Sequence, residues 1–435
     1  MLQEQLALFK KSWRWNFYGC ILYEAIQFFH TTLLIQHMQT PLYAILVTTL
    51  SLIPLAAKCS DFGFSASLPS YWLSLTKNRK TFSTLLMRHT ITPLIIFSGI
   101  SCIVFACVLR LSDSVNWVTI LACCVLALAE TCVAFLRRLL NLAWLTNAVV
   151  SGEILAFALK VSLWWLVWLT WHSVPLVLGL IVGHRLLLAG YFAYLYRRFV
   201  RQLPTTTEEF PLQKNLLFIQ LSTGGLRVCR ELCAAPALTC YIAYSNGIAP
   251  ASLLYAASKL ASSLQSLVKM TLGYSGAALL AQGAEHVSLF FSTLSKQLTN
   301  GIIIISIALA CNADYLVHTY NLFSLLGAHT LTWILIQTLD SMAVVYENYY
   351  IRQQASQQLL CIRLLEVAMV GIGAYFLSST LHLFIALLCL IKSISLLLTW
   401  WYAYIRWHVS WVVAPSFQPV CVGLIIGILL RCSCI

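Results

Sequence analysis

Along these 435 residues, apolar runs of membrane-crossing length follow one another with only short polar connections between them. A helix needs about 20 apolar residues to cross the hydrocarbon core, where only a helix or a closed barrel satisfies its own backbone. Such runs occupy roughly 16–36, 40–58, 91–110, 115–136, 146–170 and 174–195 in the first half. In the second half they occupy roughly 215–243, 249–270, 298–318, 322–346, 359–379 and 381–404. A further run at 411–430 carries Pro415 and Pro419 and is a candidate thirteenth span. No ten-residue alternation of the outer-membrane barrel kind occurs. Composition closes the soluble option. With 60% hydrophobic residues, 9% charged and a mean hydropathy of +0.83, the bilayer must be the solvent. Lys10, Lys11 and Arg14 precede the first run as in a signal peptide. However, Glu24 and His30 interrupt that run and no small-residue cleavage site follows, so a retained helix is expected.

The two halves repeat one another. An apolar segment opening at Pro41 runs into Asp61-Phe62-Gly63-Phe64-Ser65, and one opening at Pro250 runs into Gly273-Tyr274-Ser275. Phe82-Ser83-Thr84-Leu85 with Thr90 is matched by Phe291-Ser292-Thr293-Leu294 with Thr299, and Glu130 by Asp340, 210 positions on. Collinear matches at near-constant spacing indicate duplication. Membrane chains built from two like halves commonly move a substrate between them. Residues 1–200 then form an N-terminal six-helix bundle, 201–213 a charged linker, 214–405 a C-terminal six-helix bundle and 406–435 an extra membrane segment.

Lys and Arg collect on alternate connections: Lys10, Lys11 and Arg14; Lys77, Arg79 and Lys80; Arg137 and Arg138; Arg197, Arg198 and Arg201. The positive-inside rule places these, and the N-terminus, in the cytoplasm. The net charge of +13 is therefore topological signal, and no nucleic-acid partner is implied. The turns holding Asp61, Gly63 and Ser65, and Gly273 and Ser275, fall on the same side.

Charges within the spans carry the functional signal, because each costs a few kcal/mol at membrane depth. Arg185 and Lys269 read as lying near span ends or snorkelling, and Lys160 and Lys392 as snorkelling or paired with an acid on a neighbouring helix. The seventh span differs: Arg227 and Arg230 lie three apart on one face, and Glu231, four after Arg227, is the only acid in local reach. One arginine left over calls for a watery cavity or an anion. Lys259, on a serine-lined face of the eighth span, extends that cationic surface, and Glu231 and Glu24 balance it. Glu153 and Glu366 are read as braces. Trp164, Trp165, Trp168, Trp171, Trp400, Trp401, Trp407 and Trp411 are expected to form an interfacial belt. The sequence contains no phosphate-cradling Gly loop, His-Glu-x-x-His or Cys-x-x-Cys. Its 16 cysteines are scattered through apolar runs, so no metal or organic cofactor is expected.

Ser60-Asp61-Phe62-Gly63-Phe64-Ser65, Leu254-Tyr255-Ala256-Ala257-Ser258-Lys259-Leu260, Gln337-Thr338-Leu339-Asp340-Ser341 and Arg363-Leu364-Leu365-Glu366 resemble stretches of the multidrug/oligosaccharidyl-lipid/polysaccharide exporter superfamily, in its polysaccharide-flippase branch. Many members have fourteen spans, and here Leu272 replaces the acid in the second Gly-aromatic-Ser turn. The resemblance implies an all-α polytopic protein: twelve core helices in two pseudo-symmetric six-helix bundles around a central cavity, working by alternating access. Flippase members carry lipid-pyrophosphate-linked saccharides across the cytoplasmic (inner) membrane. Multidrug members expel organic cations against H+ or Na+. Arginine forks onto phosphate oxygens, so Arg227, Arg230 and Lys259 favour a monomeric flippase whose partners are that lipid-linked saccharide and the membrane lipids. A multidrug exporter, a membrane glycosyl- or acyltransferase and a scramblase are the alternatives.

Overall fold

The structure is a computed structural model. It describes residues 2–37, 79–87, 117–171, 174–204, 216–234, 327–352, 355–377 and 380–407. Isolated positions between 53 and 76, 91 and 103, 237 and 238, and 300 and 311, together with residue 425, are also described. Nine helices of eight or more residues are defined among them: α1 (Leu2–His37), α2 (Arg79–Leu86), α3 (Trp117–Leu142), α4 (Thr146–Trp171), α5 (Val174–Gln202), α6 (Leu216–Leu232), α7 (Gly327–Arg352), α8 (Ser356–Leu377) and α9 (Leu381–Trp407). Five carry stretches long and apolar enough to cross a membrane: Ile120–Leu142, Thr146–Thr170, Leu176–Gln202, Ser356–Leu377 and Leu383–Arg406. The chain is a multi-pass membrane protein. It divides into two compact units. The first holds Met1–His30, Thr49–Glu231 and Tyr274–Ala284, and the second Thr31–Thr48, Leu232–Gly273 and Glu285–Ile435.

In the first unit, α5 packs along α3 and α4. Val133 and Leu140 of α3, Val149 of α4, and Leu188, Phe192 and Leu195 of α5 form the buried seam. The α3–α4 turn is a Schellman motif: Leu145 N–H donates to Leu140 C=O at 3.0 Å and Trp144 N–H to Asn141 C=O at 3.1 Å. Trp144 takes the left-handed position with φ 60°, a place that glycine usually fills. Pro175 sits in the first turn of α5, where its missing N–H costs nothing. Gly152 admits the ring of Tyr191, which an added Cβ would strike. The Tyr191 hydroxyl donates to Ala148 C=O at 3.2 Å.

Two expectations change here. The polar stretch at 61–90 contains helix α2, whose Phe82 and Leu86, four apart, are buried with Leu68, Trp72, Phe135 and Leu139. Phe82 of the repeated Phe-Ser-Thr-Leu is thus a core anchor; its second-half copy lies outside the described residues. Trp164 and Trp168 are buried, and His30 meets Trp164 edge-on at 4.8 Å, so these indoles pack inside the unit instead of lining an interface. Trp401, 57% exposed, fits the belt.

The second unit repeats the packing: α9 lies along α7 and α8, as α5 does along α3 and α4. Thr380 caps α9, its carbonyl accepting from Phe384 N–H at 3.1 Å. Tyr350 of α7 donates its buried hydroxyl to Thr399 C=O of α9 at 2.7 Å.

Candidate functional site

α6 is built from good helix formers around Gly224-Gly225 and ends at Leu232, four residues before Pro236. Its 3.6-residue period puts Arg227, Arg230 and Glu231 on one face. Lys58 and Asp61, three apart in helical backbone, meet that face from within the same unit. Arg227 Nη1 donates to Asp61 Oδ2 at 3.0 Å, Lys58 Nζ to Glu231 Oε2 at 2.6 Å, and Arg230 Nη2 reaches Glu231 Oε1 at 3.3 Å. The acids lie inside: Asp61 and Glu231 side chains are 7% and 2% exposed, against 40%, 27% and 17% for Lys58, Arg227 and Arg230.

This revises the sequence account in one respect. Glu231, within pairing reach of Arg227 by sequence, meets Arg230 and Lys58 instead, and Asp61, 166 positions earlier, takes Arg227, so neither arginine is the one left over. Asp61, expected in a turn, is helical and buried. Arg227, Arg230 and Glu231 are brought together as expected. Glu24 is half-buried on α1, where it acts electrostatically on Cys20 together with Arg137 and Glu153. Lys259, Gly63, Ser65, Gly273 and Ser275 lie outside the described residues.

Two further networks bind the helices of each unit, and they are copies. In the first, Glu130 of α3 pairs with Arg185 of α5 at 2.7 Å, and Arg137 of α3 with Glu153 of α4 at 2.9 Å. In the second, Asp340 of α7 pairs with Lys392 of α9 at 2.7 Å, and Glu347 of α7 with Arg363 of α8 at 2.9 Å. Asp340, Glu347 and Arg363 each stand 210 positions after their counterparts, and Lys392 stands 207 after Arg185. The α3–α5 and α7–α9 pairs keep their polarity, whereas the α3–α4 and α7–α8 pairs reverse it.

The second network has one more acid. Glu366, fully buried, pairs with Lys392 at 2.7 Å and with Arg363, and accepts from the Ser395 hydroxyl at 2.7 Å. Its first-half counterpart, 210 positions earlier, is Ala156. Among the described residues this network thus joins three carboxylates, Asp340, Glu347 and Glu366, to Arg363 and Lys392, where the first joins two. Lys392 is paired, one of the two outcomes the sequence allowed for it; Arg185, expected near a span end or snorkelling, is paired as well, and Lys160 stands 4.2 Å over the Phe157 ring. Among the described residues no cluster of His, Cys, Asp and Glu could hold a metal ion.

With this geometry in view, the fold is recognisable as that of the MATE transporters. A MATE transporter of Vibrio cholerae superposes with a TM-score of 0.62 at 13% identity, over 93% of this chain and 97% of its own. An outward-facing multidrug resistance MATE family transporter of the MOP superfamily gives 0.56 at 11%, over 98% and 96%. A MOP superfamily transporter of Pyrococcus furiosus, described by the reverse polarity of its binding pocket, gives 0.56 at 10%, over 92% and 96%. No family model and no curated protein sequence matches the chain. The all-α, two-bundle class with twelve core helices is consistent with this fold.

Proposed function

We propose that this chain is an alternating-access exporter of the multidrug type, expelling amphipathic organic cations in exchange for H+ or Na+. The observation that carries the reading is the fold, shared over nearly the whole chain with transporters of that kind. The sequence argument for a pyrophosphate site also weakens once Asp61 and Glu231 each accept an arginine. The third carboxylate of the second network, Glu366 beside Asp340, supplies the negative charge that uptake of a coupling ion needs. In this reading the chain acts as a monomer in the cytoplasmic membrane with its N-terminus inside, and performs no covalent chemistry.

A second reading, flipping of a lipid-pyrophosphate-linked saccharide, is favoured by one observation. Lys58, Arg227 and Arg230 are partly exposed in front of buried acids, so the outer layer of that cluster is positive. Here Arg227, Arg230 and Lys259 hold the pyrophosphate. Purified protein in liposomes, loaded with a fluorescent organic cation and given an inward H+ or Na+ gradient, separates the two. Gradient-driven dye efflux that falls tenfold or more in Glu366→Gln is expected. Translocation of a lipid-linked saccharide without dye efflux, abolished in Arg227→Ala, would establish the second reading instead.

A further inference from the structure

The cation-rich end of α5 holds a feature that transport does not explain. A cavity of about 430 Å³ opens there, lined by Arg79, Ala193, Tyr196, Arg197, Val200 and Arg201. Its walls are fixed. Arg79 N–H donates to Pro204 C=O at 2.8 Å, which ties the start of α2 to the segment after α5. Behind the cavity Trp72 stacks on Phe199 at 6.0 Å, and Phe82 lies 6.3 Å from Tyr196. The volume falls within the roughly 300–1,000 Å³ of small-ligand pockets.

Three arginines line this space, and no described carboxylate stands within ion-pair distance of any of them. Topology explains why arginines collect at this end of a span. The dipole at a helix C-terminus also favours Arg201. The dipole does not account for Arg79, which opens α2 at the end where it disfavours a cation, and the positive-inside rule sets its side of the membrane without bringing it to the same cavity as Arg197 and Arg201. Planar guanidiniums at a common concavity are the arrangement that recognises phosphate.

The helix surface leading to the cavity identifies the source of that phosphate. Leu186, Gly190, Ala193, Arg197 and Arg201 recur at helical spacing along one exposed face of α5. Leu186 is 50% exposed, and the space around Gly190 is open. A strip of apolar and small residues inside a membrane-spanning segment thus runs directly into the arginine cavity. An acyl chain fits the strip and its headgroup the cavity.

We propose that this cavity binds the phosphate of an anionic phospholipid, clamping α2 to the end of α5, at a site separate from the transported substrate. The test uses the full chain in nanodiscs of phosphatidylcholine, with or without phosphatidylglycerol, and a third arm of inorganic phosphate added to phosphatidylcholine discs. Retained lipid is counted by native mass spectrometry and stability is followed by thermal unfolding. Phosphatidylglycerol should stay bound and raise the melting temperature, while phosphate alone does neither. The triple variant Arg79→Gln, Arg197→Gln, Arg201→Gln should retain the lipid at least tenfold less. Ala193→Trp, which keeps every charge and fills the cavity, should do the same. Lys10→Gln, Lys11→Gln, Arg14→Gln, which removes as many exposed cations from α1, should leave retention unchanged. Equal loss in the α1 variant, full retention in Ala193→Trp, or an equal effect of free phosphate would each overturn the proposal.

Discussion

Lys392 is the side chain on which the second unit's network turns. Its ammonium lies 2.7 Å from Asp340 and 2.7 Å from Glu366, and none of the three side chains is more than 7% exposed. Lys392→Met keeps an unbranched chain of similar size, so packing changes little. What it removes is the only described ion-pair contact of Asp340 and one of two on Glu366. Breaking a buried pair by deleting one partner costs about 3–5 kcal/mol, because the other charge stays buried. On the scale for domains of 150–250 residues that is a fall in melting temperature of roughly 6–20 °C. The repeat supplies an internal control. Arg185→Met strands Glu130 alone, in a pair whose members are 24% and 26% exposed, and should cost roughly 1–3 kcal/mol.

The double variant Lys392→Met, Asp340→Asn removes the stranded charge while leaving Glu366 with Arg363 and Ser395. It should recover about 2 kcal/mol or more of the single variant's loss, a coupling typical of contacting residues. Thermal unfolding in detergent, followed by the fluorescence of the 14 tryptophans, reads all four proteins. A Lys392→Met protein melting within 2 °C of wild type, about 1 kcal/mol or less on the same scale, would refute the reasoning. So would a double variant no more stable than the single. Either result means that Asp340 is held without its charge.

Two other outcomes follow from the same contacts. Exchanging Arg137 and Glu153 (Arg137→Glu with Glu153→Arg) gives the first unit the polarity of Glu347 and Arg363; each single change should be destabilised by several kcal/mol and the exchange should regain about 1–3 kcal/mol of it, as read by a double-mutant cycle on expression level and melting temperature. Phe82→Ala removes a side chain with no exposed surface and should cost about 3–5 kcal/mol; if α2 is only a surface turn, the loss will stay below about 1 kcal/mol and protease cleavage at Arg79 and Lys80 will not increase.

The long helices were legible because lipid imposes a length and an apolar composition that soluble cores do not. α3, α4, α5, α8 and α9 fall where runs of spanning length predict them. α2 was not, since eight residues in a polar stretch show only Phe82 and Leu86, four apart, as an apolar face. The Asp61–Arg227 contact was hidden by 166 residues of separation. A trace of it existed in the complementary spacing of Lys58 and Asp61 against Arg227 and Glu231. Tryptophan misled because its ring suits both an interface and a core, and only neighbours such as His30 decide between them. Half of the repeated ion-pair pattern escaped for a different reason. Arg137 and Glu347, and Glu153 and Arg363, carry opposite charges, so a comparison by residue identity scores them as mismatches.

That reversal and the extra acid of the second network are one feature. A close ion pair in a low-dielectric interior has the same Coulomb energy whichever helix carries the cation. The pair alone therefore does not choose a polarity, but its neighbours do. Glu366 stands three positions after Arg363, one helical turn away on the same face, where it meets a cation. Were the first-unit polarity kept, a glutamate at that position would oppose it, as Glu153 would oppose an acid at Ala156. Reversing the α7–α8 pair is thus the condition under which a third carboxylate can sit between Arg363 and Lys392. The two units consequently share the ties between their helices, while the described network of the second carries one more carboxylate than that of the first, a change that leaves the helix packing intact.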